Sequence, residues 1–390
     1  IKTINDKRFN WCFKTEANEN VNNREILFPR GKGLGGSSSI NGHLYVRGQP
    51  EDYNQWAQLG NTGWGYDDIL SYFKKSEFKE NGDEKFRGKN GPLFVSDIVE
   101  KHPLCEEFIE SSKEIGVSIQ EDYNAGNQEG IFYYQRTIKN GTRFSAYDAF
   151  LKPAIKRKNV KVDTNTIVLK IIFKEKKAIG LLCEKNKKQF KIFANKEIIL
   201  CAGAIGTPHL LQVSGVGNSN YLKNIGIPII HESKNVGEGL QDHYAVRVSN
   251  SVKLPITLNE KARGYKLFLE IMKWFVLKKG LISYSPAHVG AFLKSSPEID
   301  LPDLQFVFTP ASYTEGMIGK LQNIPGITCG VWQSRPQSRG YVRALSSCIK
   351  DAPLIQPNYL KETIDQDVLI QGVKICRDLL KTSKMKKISI

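Results

Sequence analysis

The sequence lacks the cysteine and histidine spacing of a metal site, and it lacks a hydrophobic run that could cross a bilayer. Its seven cysteines form no Cys-x-x-Cys pair and are odd in number, which argues against a metal site and against a dense disulfide scaffold. The most apolar long segment, residues 265–282, contains five charged side chains. It is therefore predicted to be an amphipathic helix, and no transmembrane segment is expected. The sequence does not indicate the cellular compartment.

Composition and charge are those of an ordinary globular protein. A chain of 390 residues, 40% hydrophobic and 25% charged, is long enough for a large core and two domains. The formal net charge of +16 by itself suggests nucleic acid or another acidic surface as a partner. However, the lysines are scattered in short groups such as 174–177 and 384–387, without a zinc motif, an aromatic RNA-binding motif or a basic helix. A nucleic-acid partner is therefore not expected.

Glycine and serine are concentrated in one short stretch, residues 31–39, which reads GKGLGGSSS between apolar flanks. Glycines have no Cβ atom, so a ligand can approach the backbone and successive N–H groups can bind an anion. The serines are good N-cap residues, and Ile40, Leu44 and Tyr45 have a helical spacing, which predicts a helix directly after the loop. The expected ligand is a phosphate or pyrophosphate.

Two other interpretations of this glycine loop are open. Gly31, Gly33 and Gly36 satisfy G-x-G-x-x-G, and Asp52 follows about twenty residues later, as in a Rossmann fingerprint for NAD. That fingerprint comes directly after a buried strand, whereas Pro29 intervenes here. The other interpretation is a structural turn that binds no ligand.

The same stretch resembles the first signature of the GMC (glucose–methanol–choline) family of FAD oxidoreductases, R-G-x-x-L-G-G-[ST]-S-x-x-N-G. The matching letters are LGGSS at 34–38, NG at 41–42, an aromatic residue and Arg-Gly at 45–48, and DYxxW at 52–56. Residues 203–217 match the family's second signature, G-[AS]-x-x-[ST]-P-x-L-[LM]-x-x-S-G-[IV]-G, and VGEGLQDH at 236–243 is a weaker similarity. Two long motifs in the family's order argue against a chance match.

The second signature also carries a structural prediction of its own. The apolar run at 198–202 is expected to be a buried strand that ends in a glycine turn, with Cys201 as a small buried hydrophobic residue. Thr207 is expected to cap a helix and Pro208 to take its first position. The N-terminus of that helix would then point at a ligand over the end of the sheet.

The resemblance implies a mixed α/β fold of the GMC type, with an FAD-binding domain and an antiparallel-sheet substrate domain. Residues 1–250 would form the FAD-binding domain, including some substrate-domain insertions, and residues 251–390 the substrate-binding domain. In this family a βαβ unit that binds FAD precedes the first signature, and a catalytic block follows the last segment matched here. The resemblance therefore implies that the chain is incomplete at both termini.

FAD is the implied cofactor, and three places in the chain would bind it: the glycine stretch, a predicted strand at 166–173 and the glycine turn of the second signature. Val168, in the predicted strand, would give backbone contacts to the adenine of FAD, or it is simply a buried strand residue. Ile40 stands where some family members have a histidine that attaches FAD covalently, so non-covalent FAD is expected. The implied cofactor-binding residues are Gly33, Leu34, Gly35, Gly36, Ser37, Asn41, Gly42, His43, Leu44, Val168, Ala202 and Gly203.

The implied activity is oxidation of the CH–OH group of a small-molecule alcohol or sugar, with a histidine base and hydride transfer to flavin N5. None of the six histidines matches the family's C-terminal catalytic block, so no catalytic residue and no metal site are assigned. Asp242 and His243 are adjacent, so their side chains are expected to point apart and His243 to be structural. Phe306, Phe308 and Trp332 would either line a substrate pocket or pack in the core.

The branch of the family that the chain resembles, the insect glucose dehydrogenases, implies a secreted dehydrogenase that reduces an external electron acceptor such as a quinone. The alternative is a degenerate GMC paralogue that serves as a binding or structural protein without turnover. An N-terminal G-x-G-x-x-G and a C-terminal histidine pair in the flanking sequence would favour the enzyme. For the 390-residue chain alone, weak flavin binding and no turnover are expected.

Overall fold

Helices alternate with small, mostly antiparallel sheets along the chain, and the computed structural model describes residues 2–317 and 319–389. The α-helices of this described part are α1 (Pro50–Gln58), α2 (Tyr66–Ser76), α3 (Pro103–Ser112), α4 (Lys152–Ala154), α5 (Gly203–Val213), α6 (Ser219–Asn224), α7 (Leu258–Lys261), α8 (Gly264–Leu277), α9 (Thr363–Leu380) and α10 (Ser383–Ile388). Its strands are β1 (Phe13–Lys14), β2 (Leu27–Phe28), β3 (Glu77–Lys79), β4 (Leu93–Val95), β5 (Gly130–Tyr133), β6 (Ile138–Lys139), β7 (Thr142–Arg143), β8 (Thr166–Lys174), β9 (Lys177–Lys185), β10 (Lys188–Phe193), β11 (Val216–Gly217), β12 (His231–Glu232), β13 (Glu238–Leu240), β14 (Ala245–Ser251), β15 (Val289–Leu293), β16 (Leu304–Thr309), β17 (Gly326–Gln333), β18 (Gly340–Arg343) and β19 (Leu354–Gln356). This mixture of helices and antiparallel sheets confirms the predicted mixed α/β fold class.

The largest sheet has five antiparallel strands in the order β14-β17-β16-β15-β5. Side chains of α3, α9 and α10 pack on it, and Phe108 of α3 stacks on Phe308 with 4.0 Å between ring centroids. Phe306 and Phe308 are almost completely buried in this core, so they pack rather than line a pocket. Trp332 is only partly buried, and its Nε1 donates a hydrogen bond to Gln305 Oε1 at 3.1 Å.

The division of the chain into domains at residue 250 stays a prediction. β14 spans that residue, and β5, from the first part of the chain, pairs with β15 in the same sheet.

Helix α5 lies between two smaller sheets. On one side Leu210 and Val213 pack with Ile171 of β8, which belongs to the sheet β10-β9-β8. On the other side Gln212 Nε2 donates to the carbonyl oxygen of Val342 at 2.9 Å, in the sheet β13-β18-β19. The helix of the second signature is therefore fixed from both sides by the strands that surround it.

Two local predictions around α5 are wrong. The helix begins at Gly203, so Pro208 lies inside it rather than at its first position, and Thr207 is no cap. Burial of Ile205, which is 2% exposed, explains the early start, because a helical turn here places this side chain in the core. Residues 198–201 form no strand, and Ile199 is 73% exposed. An extended segment without a partner strand gains no ladder hydrogen bonds, and Cys201 is accordingly exposed rather than buried.

A buried cluster of charged side chains supports the segment that leaves the glycine loop. Arg47 donates from Nη2 to Glu77 Oε2 at 2.9 Å, and Arg87 donates from Nε and Nη2 to both carboxylate oxygens of Glu77 at 3.0 and 2.9 Å. Arg87 Nη1 also binds Asp122 at 2.7 Å and Gln135 Oε1 at 2.8 Å. Two arginines are thus balanced by two carboxylates, which makes their burial possible.

Candidate cofactor site

The glycine loop is held in a backbone conformation that favours glycine. Gly33, Gly35 and Gly36 have φ angles of +136°, +84° and +54°, a region that residues with a Cβ atom rarely adopt. The loop is closed by a hydrogen bond of 3.0 Å from the N–H of Gly36 to the carbonyl oxygen of Gly33. The sequence of the loop therefore determines its shape directly.

The four glycines of the loop have two different roles. A Cβ atom on Gly31 would lie 2.1 Å from the carbonyl oxygen of Gly36, and one on Gly35 would lie 3.2 Å from the Cβ of Tyr147. These two glycines therefore allow the loop to pack against itself and against its neighbour. A Cβ on Gly33 or Gly36 would meet no atom within 4 Å. Only this second pair leaves the backbone open to a ligand.

Side chains of the serines hold the loop closed and leave its tip free. Ser37 Oγ accepts a hydrogen bond from the N–H of Gly31 at 3.1 Å, and Ser39 Oγ donates to the carbonyl oxygen of Leu34 at 2.8 Å. The N–H groups of residues 33, 34 and 35 donate to no residue in the described part of the chain. Three successive free amides beside open space form a nest suited to an anionic group.

The helix predicted after the loop is absent from the described residues. Gly36–Ser39 form a single 3-10 turn, and His43 has a φ of +65°, which no helix allows. The backbone that follows binds a neighbouring segment instead: Tyr45 N–H donates to the carbonyl oxygen of Gln135 at 2.9 Å, and Thr137 N–H donates to that of His43 at 2.9 Å. These tertiary hydrogen bonds replace the helical ones. A four-residue turn followed by extended chain also disagrees with the Rossmann alternative, which requires a helix here.

Arg143 fixes the loop from outside, and the sequence patterns do not assign it to the site. Its Nη1 donates to the carbonyl oxygen of Ser38 at 2.9 Å and to Asn41 Oδ1 at 2.8 Å, and its Nη2 donates to the carbonyl oxygen of Asn41 at 2.8 Å. Burial lowers the pKa of Arg143 from its ordinary value. The sequence Arg-Phe-Ser-Ala at 143–146 resembles an R-x-S-[TA] segment of the family, but this resemblance does not indicate a contact between Arg143 and the glycine loop.

His43 is neutral at physiological pH. Burial and the nearby charge of Arg143 lower its pKa to about 4, and its Nδ1 has no hydrogen-bond partner among the described residues. Its neighbour Gly42 packs against Pro286 in the turn before β15, since a Cβ on Gly42 would lie 3.0 Å from Pro286 Cγ. The uncharged imidazole is thus held where the glycine stretch meets the turn before β15.

The second glycine turn offers a similar opening. Ala202 is the N-cap of α5, and Gly203 has a φ of +81° with no atom within 4 Å of a Cβ placed on it. Val168 lies on β8 opposite Cys183 of β9, and it packs against the cluster that contains Leu210 of α5. These contacts bring Val168 and the second signature into one unit.

A buried cluster connects the two glycine turns. Ile205, in the first turn of α5, belongs to the same cluster as Phe28, the last residue of β2 before the glycine loop. The other buried members of this cluster are Val21, Val342 of β18, Ile355 of β19 and Tyr359. The two signatures, distant in sequence, are therefore supported by one piece of core, and at Gly33, Gly36 and Gly203 no Cβ atom blocks the approach of a ligand to the backbone.

His243 and Asp242 do not form a dyad. His243 Nε2 lies 3.1 Å from the carbonyl oxygen of Ser334, and its ring stacks on Trp332. Asp242 Oδ2 accepts a hydrogen bond from the hydroxyl of Tyr359 at 2.5 Å. The two side chains use different partners, as expected for neighbours in sequence.

Two family models named GMC oxidoreductase match this chain, one over residues 13–245 and one over residues 336–389. Human mitochondrial choline dehydrogenase is 36% identical over 380 residues, which cover 97% of this chain and 64% of the human protein. The alcohol dehydrogenase [acceptor] of Pseudomonas putida is 37% identical over 390 residues, which cover 98% of this chain and 70% of that protein. The chain therefore spans about two thirds of the length of these relatives.

Solved structures show the same fold. Pyridoxine 4-oxidase from Mesorbium loti superposes with a TM-score of 0.86 at 24% identity, over 98% of this chain and 71% of that one. A formate oxidase variant of Aspergillus oryzae superposes with a TM-score of 0.90 at 22% identity, over 100% of this chain and 74% of that one. At these identities the agreement concerns the backbone arrangement.

Proposed function

The chain belongs to the GMC oxidoreductase family, and from this premise we propose that it is part of an FAD-dependent enzyme that oxidises the CH–OH group of an alcohol. The observation that carries the proposal is the pair of open glycine turns, at Gly33–Gly36 and at Gly203, supported by one buried cluster. A sugar remains within the proposed substrate class, since it presents the same CH–OH group.

The residues proposed to hold FAD are the twelve named from the sequence. The free amides at 33–35 suit an anionic part of the cofactor, and the open backbone at Gly36 and Gly203 allows close approach. Val168 would offer backbone groups to adenine. When bound, FAD supplies N5 as the hydride acceptor.

The surrounding side chains orient the loop rather than react. Arg143 holds Ser38 and Asn41 in place, so the loop is shaped before the cofactor binds. His43, with its pKa near 4, stays neutral and adds no charge to the site. No catalytic base is assigned to any of the described histidines.

An external electron acceptor, such as a quinone, is proposed to reoxidise the enzyme. The Pseudomonas putida relative is named for an acceptor, which supports a dehydrogenase for this chain by analogy. The competing hypothesis, a paralogue that binds without turnover, predicts flavin binding without dye reduction by any alcohol.

Replacing Gly203 with alanine is expected to weaken flavin binding at least about tenfold. The added Cβ enters the open space proposed for the cofactor and adds backbone strain of about 1–2 kcal/mol at φ +81°. Flavin affinity is measured by reconstitution titration, and turnover by dye reduction with choline, a primary alcohol series and glucose.

Gly116→Ala is the matched control for this prediction. Gly116 has a φ of +77° and equally open space, so it suffers the same strain away from the proposed site. Equal flavin affinity in both variants would contradict the role of Gly203. Because the 390-residue chain alone is expected to show no turnover, the competing hypothesis is tested on a protein that includes the flanking sequence. Flavin binding by that protein with no turnover on any alcohol would support the non-catalytic paralogue.

The flavin is expected to leave the protein on acid precipitation. Ile40, buried beside the loop, has a hydrocarbon side chain that cannot form a bond to the flavin ring. The measurement is the flavin absorbance of supernatant and pellet after trichloroacetic acid treatment. Flavin that stays in the washed pellet would show a covalent link and overturn non-covalent binding.

A further inference from the structure

The solvent-facing side of α8 is apolar. Its exposed side chains recur at the three- and four-residue spacing of a single helix face. Each of them is at least 45% exposed, and together they form what we name the α8 stripe. The residues of the α8 stripe are Tyr265, Phe268, Leu269, Met272, Phe275 and Val276.

The polar groups of α8 face the protein instead. Lys273 forms an ion pair with Glu100, and Glu270 accepts a hydrogen bond from the N–H of Leu281 at 2.8 Å. Trp274 Nε1 donates to the carbonyl oxygen of Gly141 at 2.8 Å. The usual polarity of a surface helix is thus reversed along most of α8, since Glu270 and Lys273 have partners within the fold and the apolar face is in water.

Lysines flank the stripe at both ends. Lys266 follows Tyr265 at the start of α8, and Lys278 and Lys279 follow Leu277, the last residue of the helix. All three lysines are exposed. In the described part of the chain none of the three has a carboxylate partner within 4 Å, and Lys278 Nζ lies 4.1 Å from the centre of the Trp274 ring. An apolar face with aromatic residues and unpaired cations at its edges is the pattern of a helix in a membrane interface.

We propose that the α8 stripe inserts into the surface of a bilayer that contains anionic phospholipids, with α8 parallel to the membrane plane. Fourteen residues of helix are about 21 Å long, shorter than the roughly 30 Å of a hydrocarbon core. Among the described residues, no helix combines the length and apolarity needed to cross a membrane. The flanking lysines would contact the lipid phosphates while the apolar side chains enter the layer beneath them.

Charge complementarity favours this partner over a second copy of the chain. In a symmetric antiparallel pair of α8 helices, Lys266 of one copy would lie near Lys278 and Lys279 of the other, and like charges repel. The whole chain carries a net charge of +16, which adds to the repulsion between copies and to the attraction toward an anionic surface. This inference does not depend on the proposed oxidation reaction.

The test is sedimentation of the purified, flavin-loaded protein with vesicles of phosphatidylcholine alone or with 30% phosphatidylglycerol. We expect stronger binding to the anionic vesicles and weaker binding at high salt, because salt screens the lysines. The variant Phe268→Asp/Phe275→Asp is expected to bind anionic vesicles at least tenfold more weakly while its flavin content stays unchanged.

The control variant is Leu59→Asp/Tyr72→Asp, which makes the same charge change at exposed apolar residues of the α1–α2 region. It is expected to bind vesicles within threefold of the unmodified protein. Equal losses in the two variants would overturn the proposal, because net charge alone would then explain them. Failure of the unmodified protein to bind vesicles, with a dimer in sedimentation velocity that Phe268→Asp/Phe275→Asp abolishes, would identify a second copy as the partner instead.

Discussion

Replacing Glu77 with alanine is expected to lower the free energy of unfolding by about 3–5 kcal/mol, because it leaves two buried arginines without this shared carboxylate. Glu77 and Arg87 are completely buried, and Arg47 is nearly so. In the variant, the guanidinium groups of Arg47 and Arg87 would stay buried and keep their cost of desolvation, but they would lose the negative charge of Glu77 that offsets this cost. The measurement is equilibrium unfolding in urea, followed by fluorescence and circular dichroism.

The same substitution should change the pH dependence of stability. Burial opposes ionisation of Glu77, but hydrogen bonds from Arg87 and the charge of Arg47 outweigh it, so its pKa lies below the ordinary value. A lowered pKa in the folded state stabilises the protein above the ordinary glutamate pKa of about 4.3, and this contribution is lost as pH falls through the lower folded value. The alanine variant should lack that part of the acid dependence.

Glu25→Ala is the control for the buried cluster. Glu25 pairs with Lys14 at 3.0 Å, but both side chains are more than half exposed. Exposed pairs contribute about 0–1 kcal/mol, so this variant should unfold almost as the unmodified protein does. If Glu77→Ala were as mild as Glu25→Ala, the cluster would not hold the segment after the glycine loop.

Replacing Gly31 with alanine is expected to reduce flavin binding at least about tenfold without unfolding the protein. Its Cβ would lie 2.1 Å from the carbonyl oxygen of Gly36 and 2.7 Å from the N–H nitrogen of Ser37, both backbone atoms that cannot rotate away. The loop must therefore open, and the amides at 33–35 lose their arrangement. Flavin content after reconstitution and the circular dichroism spectrum are the two measurements.

Gly65→Ala serves as the comparison for Gly31→Ala. Gly65 also has a negative φ, of −62°, and its nearest contact is a flexible carboxylate, Asp68 Oδ2 at 3.1 Å. This variant should keep both flavin and fold. A Gly31→Ala protein with full flavin content would mean that the closed loop is not part of the cofactor site.

Much of the fold could be predicted from periodicity alone. The apolar spacing of residues 365–380 predicts a helix, which in the structure is α9, and the strand expected at 166–173 is β8. In these elements the local pattern and the core agree, because each buries its apolar face against its immediate neighbours. The prediction failed at 40–45 and at 198–202, where the backbone conformation depends on whether a distant segment provides hydrogen bonds.

In the candidate site, too, some residues could be found from the sequence and others only from the folded structure. Its glycines could be found from sequence, because a positive φ or a close backbone approach permits little else. Arg143 and the contact of Gly42 with Pro286 could not be assigned, since those residues lie far from the loop in sequence and meet it only in the folded chain.

By itself the sequence determined the family, the glycine turns and the amphipathic period of α8, because these depend on residue type and local spacing. Only the tertiary structure decided which glycines are open, which segments close the loop, and which way α8 faces. An apolar helical stripe has the same spacing whether it packs inward or lies in solvent, so the direction of α8 is set by where Glu100 and Gly141 bind its opposite side.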